Sequence, residues 1–130
     1  MESLDTLSGQ VIGAAIDIHR ALGPGLLESV YEELLCLELR VRGLEFKRQV
    51  PIALNYKGLH IERAFRLDLL VEDALPVELK CTDRLSAVYE KQLLTYLRLM
   101  NRPIGLLINL GQYRLVDGVT RIVNNYQPEE

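Results

Sequence analysis

Between Arg66 and Lys80 the chain reads RLDLLVEDALPVELK, and no other stretch restricts its fold so tightly. Leu67, Leu69 and Val71 alternate with Asp68, and Val77 and Leu79 alternate around Glu78. Alternation with period two marks half-buried strands, whose successive side chains leave on opposite faces. A turn at Glu72-Asp73-Ala74 pairs Val71 with Leu75 and sets Asp68 directly opposite Glu78. Glu78 and Lys80 then share a face while Leu79 points the other way. Two carboxylates and an ammonium would project together from one patch of sheet. That arrangement suits a hard divalent cation and the activation of water against a phosphodiester. Charges at such positions also commonly do no more than solvate a sheet face. The strongly apolar opposite face favours a site, provided that helices on either side supply its walls.

The rest of the chain alternates helical and strand periods. Val11, Ala15, Ile18 and Leu22 form an apolar stripe over about Asp5 to Leu22, which predicts a helix broken by Gly23-Pro24-Gly25. A second helix is expected from about Leu26 to Arg42, with Leu27, Val30, Leu34, Leu37 and Val41 inward and Gly43 as its stop. Phe46 to Tyr56 alternates as a strand, and Lys57-Gly58 turns it. Beyond the Asp68 and Glu78 strands, Leu85 to Met100 is helical again and ends at Asn101-Arg102-Pro103. Ile104 to Asn109 reads as a buried strand. A short β pair around Tyr113 to Leu115 and Val119 to Val123 would close the domain, and the final NNYQPEE would fray. The order ααβββαβ plus a short terminal β pair implies an α/β (α+β) fold, a central mixed β-sheet flanked by helices.

A chain of 130 residues is expected to form one domain over residues 1–130. No apolar run approaches the length of a membrane span, and the polar, acidic start MESLDTLSGQ resembles no signal peptide, so a cytoplasmic location is the expectation. Cys36 and Cys81 lack any disulfide or metal-like spacing. A net charge of −3 argues against tight nonspecific nucleic-acid binding, because phosphate backbones are normally met by excess Lys and Arg. Arg40, Arg42, Lys47 and Arg48 form the one dense basic group, which suits either a backbone-contact patch or the solvated end of a helix.

Two further motifs accompany the Asp68 and Glu78-x-Lys80 strands. Gly25-Leu26-Leu27-Glu28-Ser29-Val30-Tyr31 is a G-x-x-E-x-x-Y, preceded by His19-Arg20-Ala21-Leu22-Gly23-Pro24, and Gln92-Leu93-Leu94-Thr95-Tyr96 is a Q-x-x-x-Y. With the closing Gly105-Leu106-Leu107-Ile108-Asn109-Leu110-Gly111, this ordered set resembles the bacterial GxxExxY family of the PD-(D/E)XK nuclease superfamily, over about residues 6 to 124. The resemblance implies a restriction-endonuclease-like core and one site for Mg²⁺ or Mn²⁺. It implies Asp68, Glu78 and Glu28 as metal ligands, with Lys80 orienting and helping to deprotonate the attacking water or stabilising charge on the phosphate. Gln92 would stand at the edge, contacting nucleic acid or orienting Lys80. One departure is Leu67, where the superfamily's name would place a proline before Asp68.

Helix geometry bears on the same residues. Glu28 and Tyr31 are three apart and Gln92 and Tyr96 four apart, so each pair shares a helix face. Tyr31 and Tyr96 would wall the site, or else pack as half-buried core residues. His19, with only His60 for company, is expected to cap or pack rather than bind metal. The functional expectation is a Mg²⁺- or Mn²⁺-dependent phosphodiesterase cutting DNA or RNA, with a homodimer a reasonable assembly. The alternative is a weak or inactive nuclease-fold module that binds a protein or nucleic-acid partner through the same cleft.

Overall fold

The computed structural model describes residues 3–125. Ser3 opens the first helix, its hydroxyl accepting the Thr6 N–H at 3.1 Å, and α1 runs Leu4–Leu22. Gly23 ends it at φ +76°, a backbone that a residue with a Cβ adopts at a cost. The remaining elements are α2 (Glu28–Val41), β1 (Phe46–Tyr56), β2 (Leu59–Val71), β3 (Leu75–Lys80), α3 (Ala87–Met100), β4 (Ile104–Asn109) and β5 (Val119–Val123). No helix among the described residues is long and apolar enough to cross a membrane.

The five strands form one mixed sheet in the order β1-β2-β3-β4-β5. All neighbours are antiparallel except β3 and β4, which run parallel because α3 crosses over between them. Helices α1 and α2 cover one face, packing on Leu69, Val71, Val77, Leu79, Leu106 and Ile108. Helix α3 covers the other with Leu93, Tyr96 and Leu97, against Ile52, Leu67, Leu70 and Leu107. Strand β4 is buried along its whole length, as a central strand covered on both faces must be. Val71 pairs with Leu75 as expected, and the turn between them holds Glu72 and Asp73 at φ +53° and +52°.

Three expectations need correction. Tyr113 to Leu115 is not a strand: the chain bends into a 3-10 turn at Leu115–Gly118, and β5 pairs with β4, from Ile108–Val119 to Ile104–Val123. Leu115 is buried in the core, and Gly118 lies so near the Asn109 carbonyl that a Cβ would sit 2.2 Å from its oxygen. Leu22 is exposed, the stripe of α1 ending inward at Ile18. Helix α2 is rotated from its expected orientation: Tyr31, Glu32, Leu35, Cys36 and Leu39 face inward, while Leu27, Val30, Leu37 and Val41 are exposed. Its rotation is set by Tyr31, whose hydroxyl donates to the Gly23 carbonyl and accepts the Leu26 N–H at 3.2 Å. Residues 126–130, expected to fray, lie outside the described residues.

Candidate active site

Strands β2 and β3 pair regularly at Val71–Leu75, Leu70–Pro76 and Leu69–Val77. At the next step the side chains replace the backbone ladder. The Asp68 N–H donates to Glu78 Oε1 at 2.7 Å, and the Leu79 N–H donates to Asp68 Oδ2 at 2.9 Å. Each carboxylate is thereby tied to the opposite strand at the point where the two diverge. The single apolar face expected for Leu67, Leu69 and Val71 is broken here: Leu69 and Val71 pack under α1 and α2, whereas Leu67 packs with Ile52 and Leu107 under α3. The alternation therefore slips at Asp68, and the two side-chain bonds, not a ladder pair, bring Asp68 to Glu78.

Burial makes the pair electrostatically costly. Glu78 is 5% exposed, and its carboxyl is pushed up to about 8, first by burial and then by the Asp68 charge; the Asp68 N–H and Lys80 oppose this. Burial also raises Asp68, against the Leu79 N–H, and the charge of Glu32 adds to the rise. Glu28, at the start of α2, is raised by burial, lowered by Lys80 and raised by Asp68 and Glu32. Three carboxylates from three elements therefore share one field and lie short of positive charge. The nearby cation is Lys80, whose Nζ lies 4.4 Å from the centre of the Tyr89 ring on α3.

The other expected residues divide. Tyr96 is buried against Phe65, ring centres 5.3 Å apart, and its hydroxyl is raised by burial and then by the charges of Glu78 and Asp68, so it stands beside the pair. Tyr31 does not line the site, because it is fully buried and its hydroxyl serves the Gly23–Leu26 turn. Gln92 is exposed on α3, with no hydrogen bond to Lys80 among the described residues. His19 packs through Nε2, 2.8 Å from the Gln112 carbonyl oxygen. Among the described residues no three His, Cys, Asp or Glu side chains converge on one ion position. The side chains that could hold an ion are the Asp68–Glu78 pair, with Glu28 in the same electrostatic field. Two oxygen-donor carboxylates suit a hard divalent cation that leaves its other positions to water and phosphate.

A family model of the PD-(D/E)XK nuclease superfamily matches residues 5–122. The chain belongs to that superfamily. No curated protein and no solved structure matches it. The mixed five-stranded sheet with flanking helices is the restriction-endonuclease-like core of a PD-(D/E)XK domain.

Three residues that sequence reasoning missed, Glu32, Gln49 and Asn109, support the site of this PD-(D/E)XK domain. Gln49 sits in β1 between the Arg48–Leu69 and Val50–Leu67 pairs, opposite Asp68, at φ +51°. That left-handed backbone is strained for a residue with a long side chain. Its Nε2 donates to Glu32 Oε1 at 2.7 Å and reaches Asp68 Oδ1 at 3.5 Å. Arg48 holds the other Glu32 oxygen at 2.7 and 3.1 Å. Glu32 was legible in principle, lying four residues after Glu28 on the same helix face; the backbone of Gln49 was not. On the other side, buried Asn109 clamps the loop after Lys80. Its Oδ1 accepts the N–H groups of Thr82 and Gly111, and its Nδ2 donates to the Thr82 carbonyl, each at 3.0 Å.

Gln49 also lines a cleft of about 510 Å³ with Pro51, Arg63, Ala64, Phe65 and Arg66. A larger cavity of about 1010 Å³, bordered by Leu44, Phe46, Leu70 and Arg102, holds none of the carboxylates described above. The basic group of the sequence is largely occupied internally. Arg42 pairs with Asp17 and Glu38, Arg48 with Glu32 and Glu33, and Arg40 stacks over Phe46.

Proposed function

We propose that this domain is a divalent-metal-dependent nuclease of the GxxExxY family, hydrolysing phosphodiester bonds of DNA or RNA in the cytoplasm. One observation carries the reading: Asp68 and Glu78 are bonded across the parting strands, with Lys80 next but one along β3. Asp68 and Glu78 would hold Mg²⁺ or Mn²⁺, with Glu28 completing the acidic site directly or through water. When bound, such an ion supplies Lewis acidity toward water and a counter-charge for the phosphate.

The chain's own residues do the rest. Lys80 shares the electrostatic field of the three acids with its Nζ over the Tyr89 ring, and from there it would orient the attacking water or stabilise charge on the phosphate. Tyr96 and Tyr89 exclude solvent on the α3 side, and Gln92 meets the substrate at the rim. Arg63 and Arg66, in the cleft that shares Gln49 with Asp68, supply guanidinium groups for the flanking phosphates, which supports nucleic acid as substrate despite the acidic balance. The G-x-x-E-x-x-Y motif gains a physical meaning. Tyr31 bonds the turn around Gly23 and Leu26, and that turn starts α2 at Glu28.

The test is cleavage of labelled single- and double-stranded DNA and RNA with Mn²⁺. Asp68→Ala and Lys80→Ala should each abolish cutting with the circular dichroism spectrum retained. Cutting that survives both substitutions would falsify the assignment of the site.

A further inference from the structure

The rotation of α2 leaves an apolar stripe outside. Leu27, Val30, Leu37 and Val41 are 73, 40, 54 and 75% exposed, and Leu34 between them is half-buried, with one side packed on the core. Their spacing is three, four, three, four, the a/d repeat of a two-helix seam. The buried face of α2 lies roughly 150° away around the helix, so the stripe points outward and away from Glu28. Scattered apolar side chains on a surface need no explanation; four exposed ones in a single seam do.

We infer that this stripe pairs two copies of the chain through an antiparallel α2–α2 contact about a two-fold axis. The flanking charges select this occupant and its register. Glu33 and Arg40 occupy the g positions, Glu38 an e position, and Glu33 and Arg40 are exposed. In a parallel pair Glu33 would face the partner's Glu38, which Arg42 of its own chain holds, so that arrangement joins no opposite charges across the seam. An antiparallel pair with Leu34 against the partner's Leu37 brings Glu33 to the partner's Arg40, and the two-fold repeats that attraction. Shifting the antiparallel register by one heptad would set Glu33 on the partner's Glu33. Among these three arrangements, one joins opposite charges. Glu33 also touches Arg48 at 3.1 Å and Arg40 stacks on Phe46, so both are held near the positions that the pairing uses.

Helix α2 has 14 residues, about 21 Å of length. A seam that short buries less than the roughly 800 Å² per partner of a standard interface, so the dimer is weak, with a dissociation constant of about 10–100 µM. The register places the two Glu28 residues about 22 Å apart along the seam, both on the face away from it.

Sedimentation velocity of the full chain from about 5 to about 500 µM tests this. Wild type should pass from monomer to dimer over that range. Leu37→Lys, at a position that is 54% exposed, should remain monomeric throughout, with an unchanged circular dichroism spectrum. Glu33→Arg should weaken association about five- to tenfold, and Glu33→Arg with Arg40→Glu should restore it, which a merely hydrophobic association would not do. Wild type that stays monomeric at the top concentration overturns the inference. A dimer indifferent to the charge swaps overturns the antiparallel register.

Discussion

Glu78→Gln separates the cost of the acidic site from its use. Glu78 binds its proton near pH 8 in the fold against 4.5 for the free side chain, because burial and the Asp68 charge both disfavour the carboxylate. Its folded value lies above its unfolded one, so the contribution to stability is whole below pH 4.5 and is lost as pH rises through 8. Across that window the slope is about 1.4 kcal/mol per pH unit, which amounts to about 3 kcal/mol by pH 7. Glutamine carries no charge, and its Oε1 still accepts the Asp68 N–H. The variant should therefore match wild type near pH 4.5 and exceed it by about 3 kcal/mol at pH 7. For a domain of this size that corresponds to about 10 °C in Tm.

Urea unfolding in EDTA between pH 4.5 and 8.5 reads the effect directly. Millimolar Mn²⁺ should then narrow the gap at high pH by binding wild type, by about 2.7 kcal/mol at a hundredfold excess over Kd. Parallel stability curves for the two proteins, or a variant less stable than wild type at pH 7.5, would refute the reasoning. The variant should also lose cleavage, making it a stabilised and inactive protein.

Gln49→Ala should destabilise the fold and weaken Mn²⁺ binding by calorimetry, since it removes the amide that braces Glu32 and Asp68; Gln49→Gly should lose the same metal affinity while recovering about 1 kcal/mol of stability in urea melts, because φ +51° suits glycine. Asn109→Leu removes three bonds around Thr82 and Gly111, and should cost about 3 kcal/mol, with faster amide exchange in residues 81–86. Arg63→Ala with Arg66→Ala should weaken single-stranded DNA binding by fluorescence anisotropy and lower the magnitude of the salt slope by about 1.4, with Mn²⁺ affinity unchanged.

What the sequence discloses follows from how far each determinant reaches. The limits of β1 and β4 and the Val71–Leu75 turn were legible because alternation and turn parity are local. That Asp68 and Glu78 meet was legible too, but not that the ladder ends before them and that Leu67 turns to the α3 side. The face of α2 was not legible, because the helix carries two apolar stripes and either satisfies the period. The choice rests on Tyr31 meeting Gly23, a contact that exists only once the Gly-Pro-Gly turn has folded. Gln49 was hidden for a related reason: glutamine gives no sign of a left-handed backbone, and here it arises where β1 passes Asp68. Arginine counts misled in the same way, since pairing with Glu32 or Asp17 depends on tertiary neighbours and leaves Arg63 and Arg66 in the cleft beside Gln49. The two misread features have opposite consequences. Hidden bracing at Gln49 strengthens the site that the motif announces, whereas the outward stripe of α2 is a second surface that no catalytic motif explains. A helix that keeps one apolar face for its own core and leaves Leu27, Val30, Leu37 and Val41 to solvent carries more hydrophobic surface than its fold requires. That surplus points to assembly, and the charges at Glu33 and Arg40 specify the geometry in which to look for it.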